Sequence, residues 1–232
     1  MSLHGFLRAS AAALIAMAIS PASGLAGGVT DQIMQPGLYS TAAEGEVLRY
    51  SLMRRLAPEP EAGWPGAGHG ISLPEALEGA ELVLERKGGE PGRLSLSLAP
   101  LAGAPGRVLT EIAAGAPNPV LLFWLENVVR AGAVQTGGSP FYLRNRIREA
   151  LVEAEISPDA EALNRLELKP FAALGAEEAA RLGAFASLRL EIVWEAGAPG
   201  QLLELKAETA EADAGLQGGY HEHLILQAEE GQ

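Results

Sequence analysis

Leucine alternates with polar residues, one on and one off, in stretches on both sides of a central run that does not alternate at all. In RLSLSL, Leu94, Leu96 and Leu98 share one face, and Arg93, Ser95 and Ser97 take the other. In SLRLEIVWE the same period places Leu188, Leu190, Ile192 and Trp194 together. A two-residue period is the signature of a strand with one dry and one wet face, and such strands build antiparallel sheets. This constraint excludes an all-helical fold and a parallel sheet buried on both faces.

Further segments carry the same period. In EVLRYSLMRRL, starting at Glu46, Leu48, Tyr50, Leu52 and Leu56 fall on one face, with Arg49, Ser51 and Arg55 on the other. Leu82 and Leu84 precede the turn residues Gly88, Gly89 and Gly92, which predicts a hairpin onto Leu94. Strands are also expected at Arg107 to Ile112, around Leu166 and Leu168, at Leu203, Leu205 and Ala207, and in GYHEHLILQ, where Tyr220, Leu224 and Leu226 face in. Residues 27–43 read as a loose leader with turns at Gly28 and Pro36-Gly37, and Ala57 to Leu73 reads as a Pro/Gly-rich loop.

The central run predicts helices. Asn118-Pro119 supplies a capping side chain followed by proline at the first helical position, and Gly137-Gly138 supplies a stop. Ser139-Pro140 repeats the start signal. Leu143, Ile147, Ala150, Leu151 and Ala154 then form one helical stripe. A short helix is expected from Ala176 to Leu182. Together these predict an α+β fold: an antiparallel β-sheet with a helical pair, about residues 118–155, inserted between strand-rich segments and packed on or beside the sheet.

Residues 1–26 read as a cleavable secretory signal. They contain Arg8 and no acid, an apolar run from Ala11 to Ile19, the breaker Ser20-Pro21, and a small-x-small site at Gly24-Leu25-Ala26. Cleavage is expected after Ala26, with Gly24 the second choice. A nine-residue run falls short of the roughly 20 residues of a spanning helix. Periplasmic or secreted localisation follows, with residues 27–232 as a single α+β domain and no transmembrane segment after cleavage. The whole chain has 17 basic against 29 acidic residues, a net charge of −12, so nucleic acid is not a natural partner. It has no cysteine, which removes thiol catalysis, thiolate metal ligation and disulfides.

Three constellations bear on function. His221 and His223, two apart on a strand, share a face and could grip a metal. They lack a third ligand in sequence, with His69 and Glu204 as possibilities, and a solvated sheet face opposite Tyr220, Leu224 and Leu226 explains them without a metal. The segment Gly137-Gly138-Ser139 opens a helix bearing Arg144, Arg146 and Arg148 and could receive an anion, although it also makes an ordinary helix–helix turn. The helix around Phe123 and Trp124 is apolar except for a narrow face of Glu126, Asn127 and Arg130. It is either core or one wall of a ligand cavity. No Gly-x-Ser-x-Gly elbow occurs and no phosphate-loop Lys-Ser/Thr follows the glycines, so neither hydrolase chemistry nor a nucleotide cofactor is indicated.

Two non-enzymatic functional expectations and one enzymatic alternative follow from these residues. One is an exported non-enzymatic binding or carrier domain for a small apolar or anionic ligand, using Phe123, Trp124, Gly137, Gly138, Ser139, Arg144 and Arg148. The other is an envelope interaction or assembly protein acting through the helical pair. A metal-dependent enzyme built on His221 and His223 is the third alternative.

Overall fold

The computed structural model describes residues 28–57, 71–89, 92–100, 105–158, 163–198, 200–210 and 219–228. The expected signal segment, His69 and most of the Pro/Gly-rich loop lie outside these residues. Among the described residues, nine strands form one sheet in which every neighbouring pair is antiparallel. Four α-helices accompany it, so the architecture is mixed α+β.

The first half of the sheet is a meander of β1 (Gly45–Leu56), β2 (Leu77–Lys87), β3 (Arg93–Leu98) and β4 (Arg107–Ala113). The second half is β5 (Ser157–Pro158), β6 (Leu163–Leu168), β7 (Arg189–Glu195), β8 (Leu202–Glu208) and β9 (Tyr220–Leu226). The spatial order is β4-β3-β2-β1-β9-β8-β7-β6-β5, so the two halves meet where β1 pairs with β9. Their register puts Tyr50 opposite Leu226, Leu52 opposite Leu224 and Arg54 opposite Glu222.

Helices α2 (Pro119–Thr136) and α3 (Pro140–Glu153) connect β4 to β5, the two outermost strands. The Asn118 carboxamide oxygen accepts hydrogen bonds from the Val120 and Leu121 amides at 3.0 and 3.2 Å, and Gly137 closes α2 at φ 68°. At that left-handed angle a side chain would clash with its own backbone, so glycine ends the helix at little cost. Ser139 stands at the cap position of α3, but its side chain makes no capping bond. Helix α2 is buried on most of its circumference, including Val120, Leu121, Trp124, Leu125, Val128, Val129 and Ala133. It contacts β3 in one half of the sheet and β8 in the other. Helix α3 is one-sided, burying Leu143, Ile147 and Leu151. These side chains belong to the same core as the inward leucines of the sheet. No helix of the described residues is long and apolar enough to cross a membrane.

Two sequence expectations need correction. The leader contains a short helix, α1 (Val29–Ile33), whose Val29 and Ile33 are buried with Met34 and Tyr39. The Tyr39 hydroxyl donates to the Gly200 carbonyl at 2.7 Å and receives the Asn118 carboxamide at 3.1 Å. Four apolar side chains thus anchor a stretch whose turn residues had suggested a loose tail. In β8 the inward residues are Leu202, Leu205 and Ala207, and Leu203 is only partly buried. A register shift opposite Val193 and Trp194 inserts one residue there, which moves Leu202 inward. The remaining short helix, α4, spans Ala176–Leu182, and a 3-10 turn follows at Gly183–Ser187.

Candidate functional site

The inward face of β1 runs Leu48, Tyr50, Leu52, Arg54, Leu56, so the two-residue period carries a guanidinium into the core. The inward face of β9 runs Tyr220, Glu222, Leu224, Leu226 and carries in a carboxylate. Because β1 and β9 are neighbours and Arg54 is opposite Glu222, the two charges meet. Both are almost fully buried, at 3% and 0% exposure.

The pair is densely bonded. Arg54 Nε and Nη2 donate to Glu222 Oε1 at 2.9 and 2.5 Å, and Asn127 Nδ2 donates to the same oxygen at 3.2 Å. The Tyr220 hydroxyl donates to Oε2. Arg54 Nη1 turns outward to the Glu75 carbonyl at 3.0 Å, and its guanidinium carbon stands 5.6 Å from the centre of the Phe123 ring. Burial pushes the Glu222 carboxyl above its ordinary value, against the opposing pull of Arg54 and of the hydrogen bonds from Tyr220 and Asn127. Burial is the largest single influence on Arg54 and works against its charge, but Glu222 and Tyr220 together outweigh it and hold the guanidinium above its usual value. The Tyr220 hydroxyl is pushed well up by burial.

In front of this pair opens a pocket of about 250 Å3. Helix α2 contributes Phe123, Asn127 and Arg130, which share a face at i, i+4 and i+7. The sheet contributes Arg54, Leu77, Leu98, Arg107 and Leu109, and the segment 72–75 runs along the rim. That segment is tied down by all three arginines. Besides the Arg54 bond to the Glu75 carbonyl, Arg107 Nη2 bonds the Glu75 carboxylate at 2.5 Å, and Arg130 Nη2 bonds the Ser72 carbonyl and hydroxyl, both at 2.8 Å. The pocket therefore joins an apolar wall to a cluster of cations in a strongly acidic chain.

The structure distributes the residues singled out in the sequence over several places. Phe123 lines the pocket. Trp124 is one residue, about 100° of helical turn, further round and is wholly buried in the core. Gly137, Gly138 and Ser139 lie about 20 Å along the axis of α2 from Phe123, at a rise of about 1.5 Å per residue. The Gly138 amide donates to Thr136 Oγ1 at 3.0 Å. Arg144 forms a forked ion pair with Glu126, its closest oxygen at 2.9 Å, and lies over the Phe141 ring. Arg146 pairs with Glu149, and Arg148 is exposed. None of these groups is among the residues that line the pocket beside Phe123. His221 and His223 face outward from β9 with ring centres 6.1 Å apart. His223 Nε2 is 2.7 Å from Glu204, and His221 Nδ1 is 3.9 Å from Glu208. Among the described residues no group of three or more His, Asp or Glu side chains is arranged to hold a metal ion.

The chain matches no protein-family model and no curated protein. What the geometry adds to the sequence reading is Arg54, Glu222, Tyr220 and the residues of the rim. Their signal was present: a charge at an inward position of an otherwise apolar strand face. It occurs at position 54 in one strand and 222 in another, with opposite signs. Only the pairing of β1 with β9 turns the two exceptions into one feature.

Proposed function

We propose that this chain is an exported, non-enzymatic binding domain for a small ligand that is partly apolar and partly anionic. Helix α2 of the helical pair forms one wall of the site through Phe123, Asn127 and Arg130. Export rests on the signal-like residues 1–26. The observation that carries the binding reading is the pocket, in which Leu77, Leu98, Leu109 and Phe123 face the same space as Arg54, Arg107 and Arg130. Ligand sites commonly pair an apolar lining with a few placed polar groups that fix orientation. The Arg54–Glu222 pair supplies a fixed charged floor, since two side chains held by this many bonds have little freedom to relax.

Native mass spectrometry of the protein recovered gently from a bacterial periplasm tests the reading. A retained small acid that is lost in the variant Phe123→Ala supports it. A protein that arrives empty and takes up no anionic amphiphile on titration refutes it. The second reading, docking of an envelope protein on the helical pair, is favoured by Phe141 and Val152, which are 67% and 71% exposed on α3. Recovery of a stable protein complex that dissociates on Phe141→Ser would support that reading instead.

A further inference from the structure

The charges around the pocket do not balance. Arg54 has Glu222 at 2.5 Å, and Arg107 has Glu75 at 2.5 Å. Arg130 is half-buried, and among the described residues it has no carboxylate within ion-pairing distance; the Ser72 carbonyl and hydroxyl that it holds are neutral. Glu126, one turn back on α2, is engaged by Arg144 through three hydrogen bonds. Burial moves the Arg130 guanidinium below its ordinary value; Glu126 opposes this shift and the neighbouring Arg54 charge adds to it. A partly desolvated cation without a counterion is unfavourable, and an anion entering the pocket would relieve it.

Building on the binding reading above, we infer that the ligand is a small monoanionic carboxylate with a short apolar group. Its carboxylate takes the place of Ser72 on Arg130, and its apolar group rests on Leu77, Leu98, Leu109 and Phe123. The charge count selects a monoanion: among the described residues that line the pocket, Arg130 is the cation without a paired carboxylate, and a second negative charge would be repelled by Glu75 and Glu222. The guanidinium fork matches the two oxygens of a carboxylate, which gives direction as well as attraction. The volume selects a small ligand, because about 250 Å3 lies just below the roughly 300–1,000 Å3 of ordinary ligand pockets. The same exchange releases Ser72, so binding loosens the 72–75 segment at the rim.

The test is calorimetric titration of the processed full chain at pH 8 with hexanoate, hexanamide and hexyl phosphate, the last being mostly a dianion at that pH. Hexanoate is expected to bind at least about tenfold more tightly than hexanamide, the factor that one charge-assisted hydrogen bond supplies. It should also bind more tightly than hexyl phosphate. Arg130→Gln should erase the preference for hexanoate over hexanamide. Glu75→Gln alters an exposed side chain and leaves Arg107 without its acid, so it should shift the preference towards hexyl phosphate. Equal binding of hexanoate and hexanamide, or tighter binding of hexyl phosphate by the unaltered chain, overturns the monoanion while leaving the pocket as a binding site. If none of the three binds a chain that unfolds cooperatively, the binding reading itself falls.

Discussion

Arg54 and Glu222 are a charge pair placed where a sheet normally puts two leucines. Neither charge would be tolerated alone at that depth. Together they have five hydrogen bonds among Arg54, Glu222, Asn127, Tyr220 and the Glu75 carbonyl. Breaking a buried pair by removing one partner costs about 3–5 kcal/mol, whereas replacing both with apolar groups of similar size is often neutral or better. Glu222→Leu is therefore expected to lower unfolding free energy by about 3–5 kcal/mol, and Arg54→Met/Glu222→Leu to recover most of that loss, as read by urea denaturation. A double variant as unstable as the single one would show that the pair is not the source of the cost. On the outer face, His221 is pushed below the ordinary imidazole value by burial first and by the nearby Lys206, His223 and Arg55 charges, with Glu208 opposing. The unfolded chain, titrating near the ordinary value of about 6.5, then takes up the proton before the folded chain does. Stability is full above that pH and falls as the solution is acidified through it. His221→Gln should flatten that part of the stability–pH curve, and an unchanged slope would place the proton uptake elsewhere.

Helix α2 depends on a glycine in its middle, although glycine costs up to about 1 kcal/mol there relative to alanine. A side chain at Gly132 would begin 3.0 Å from both Leu143 of α3 and Phe185 of the 3-10 turn. Bare backbone at this position lets three elements approach closely. Gly132→Val is expected to destabilise by roughly 1–3 kcal/mol or more through overpacking, in spite of a better helix former. A rise in melting temperature would contradict that reading. The ends of the same helix were legible in the sequence, because Asn118 and Gly137 act on backbone groups within a turn of themselves. The bounds of α4 also agree with the sequence expectation, although Gly175 at its start offers no capping side chain. The bulge in β8 was not, since an alternation of leucines cannot show where its partner strand adds or drops a residue. Nor did the turn residues of the leader reveal α1, whose buried face is defined by what packs against it.

At the scale of the molecule, the pairing of β1 with β9 joins two meanders that are separated in the chain by the helical pair. Arg54 and Glu222 are 168 residues apart in sequence, and Tyr50 bonds the Leu202 carbonyl across 152. Contacts of such long range are closed late and at a large entropic cost, so they act on the whole fold together. Deleting residues 219–232 should therefore abolish cooperative thermal unfolding rather than merely trim an edge. It leaves Arg54 without its acid and bares the inner edges of β1 and β8. A truncated chain that melts in a single sharp transition would mean that the two halves are independently stable.

By itself the sequence determined the local order of this protein: which stretches alternate, which turn helical, where α2 and α4 begin and end. Those properties depend on neighbours within a few residues, through side-chain period and capping bonds. It also held the two oddities, an inward arginine and an inward glutamate, without connecting them. Only the tertiary structure decided that β1 lies beside β9 in the register that sets Arg54 against Glu222. It alone brought Phe123, Asn127 and Arg130 of α2 to the same opening as Arg107. Register and packing are contacts between distant segments, and no pattern within one segment encodes them.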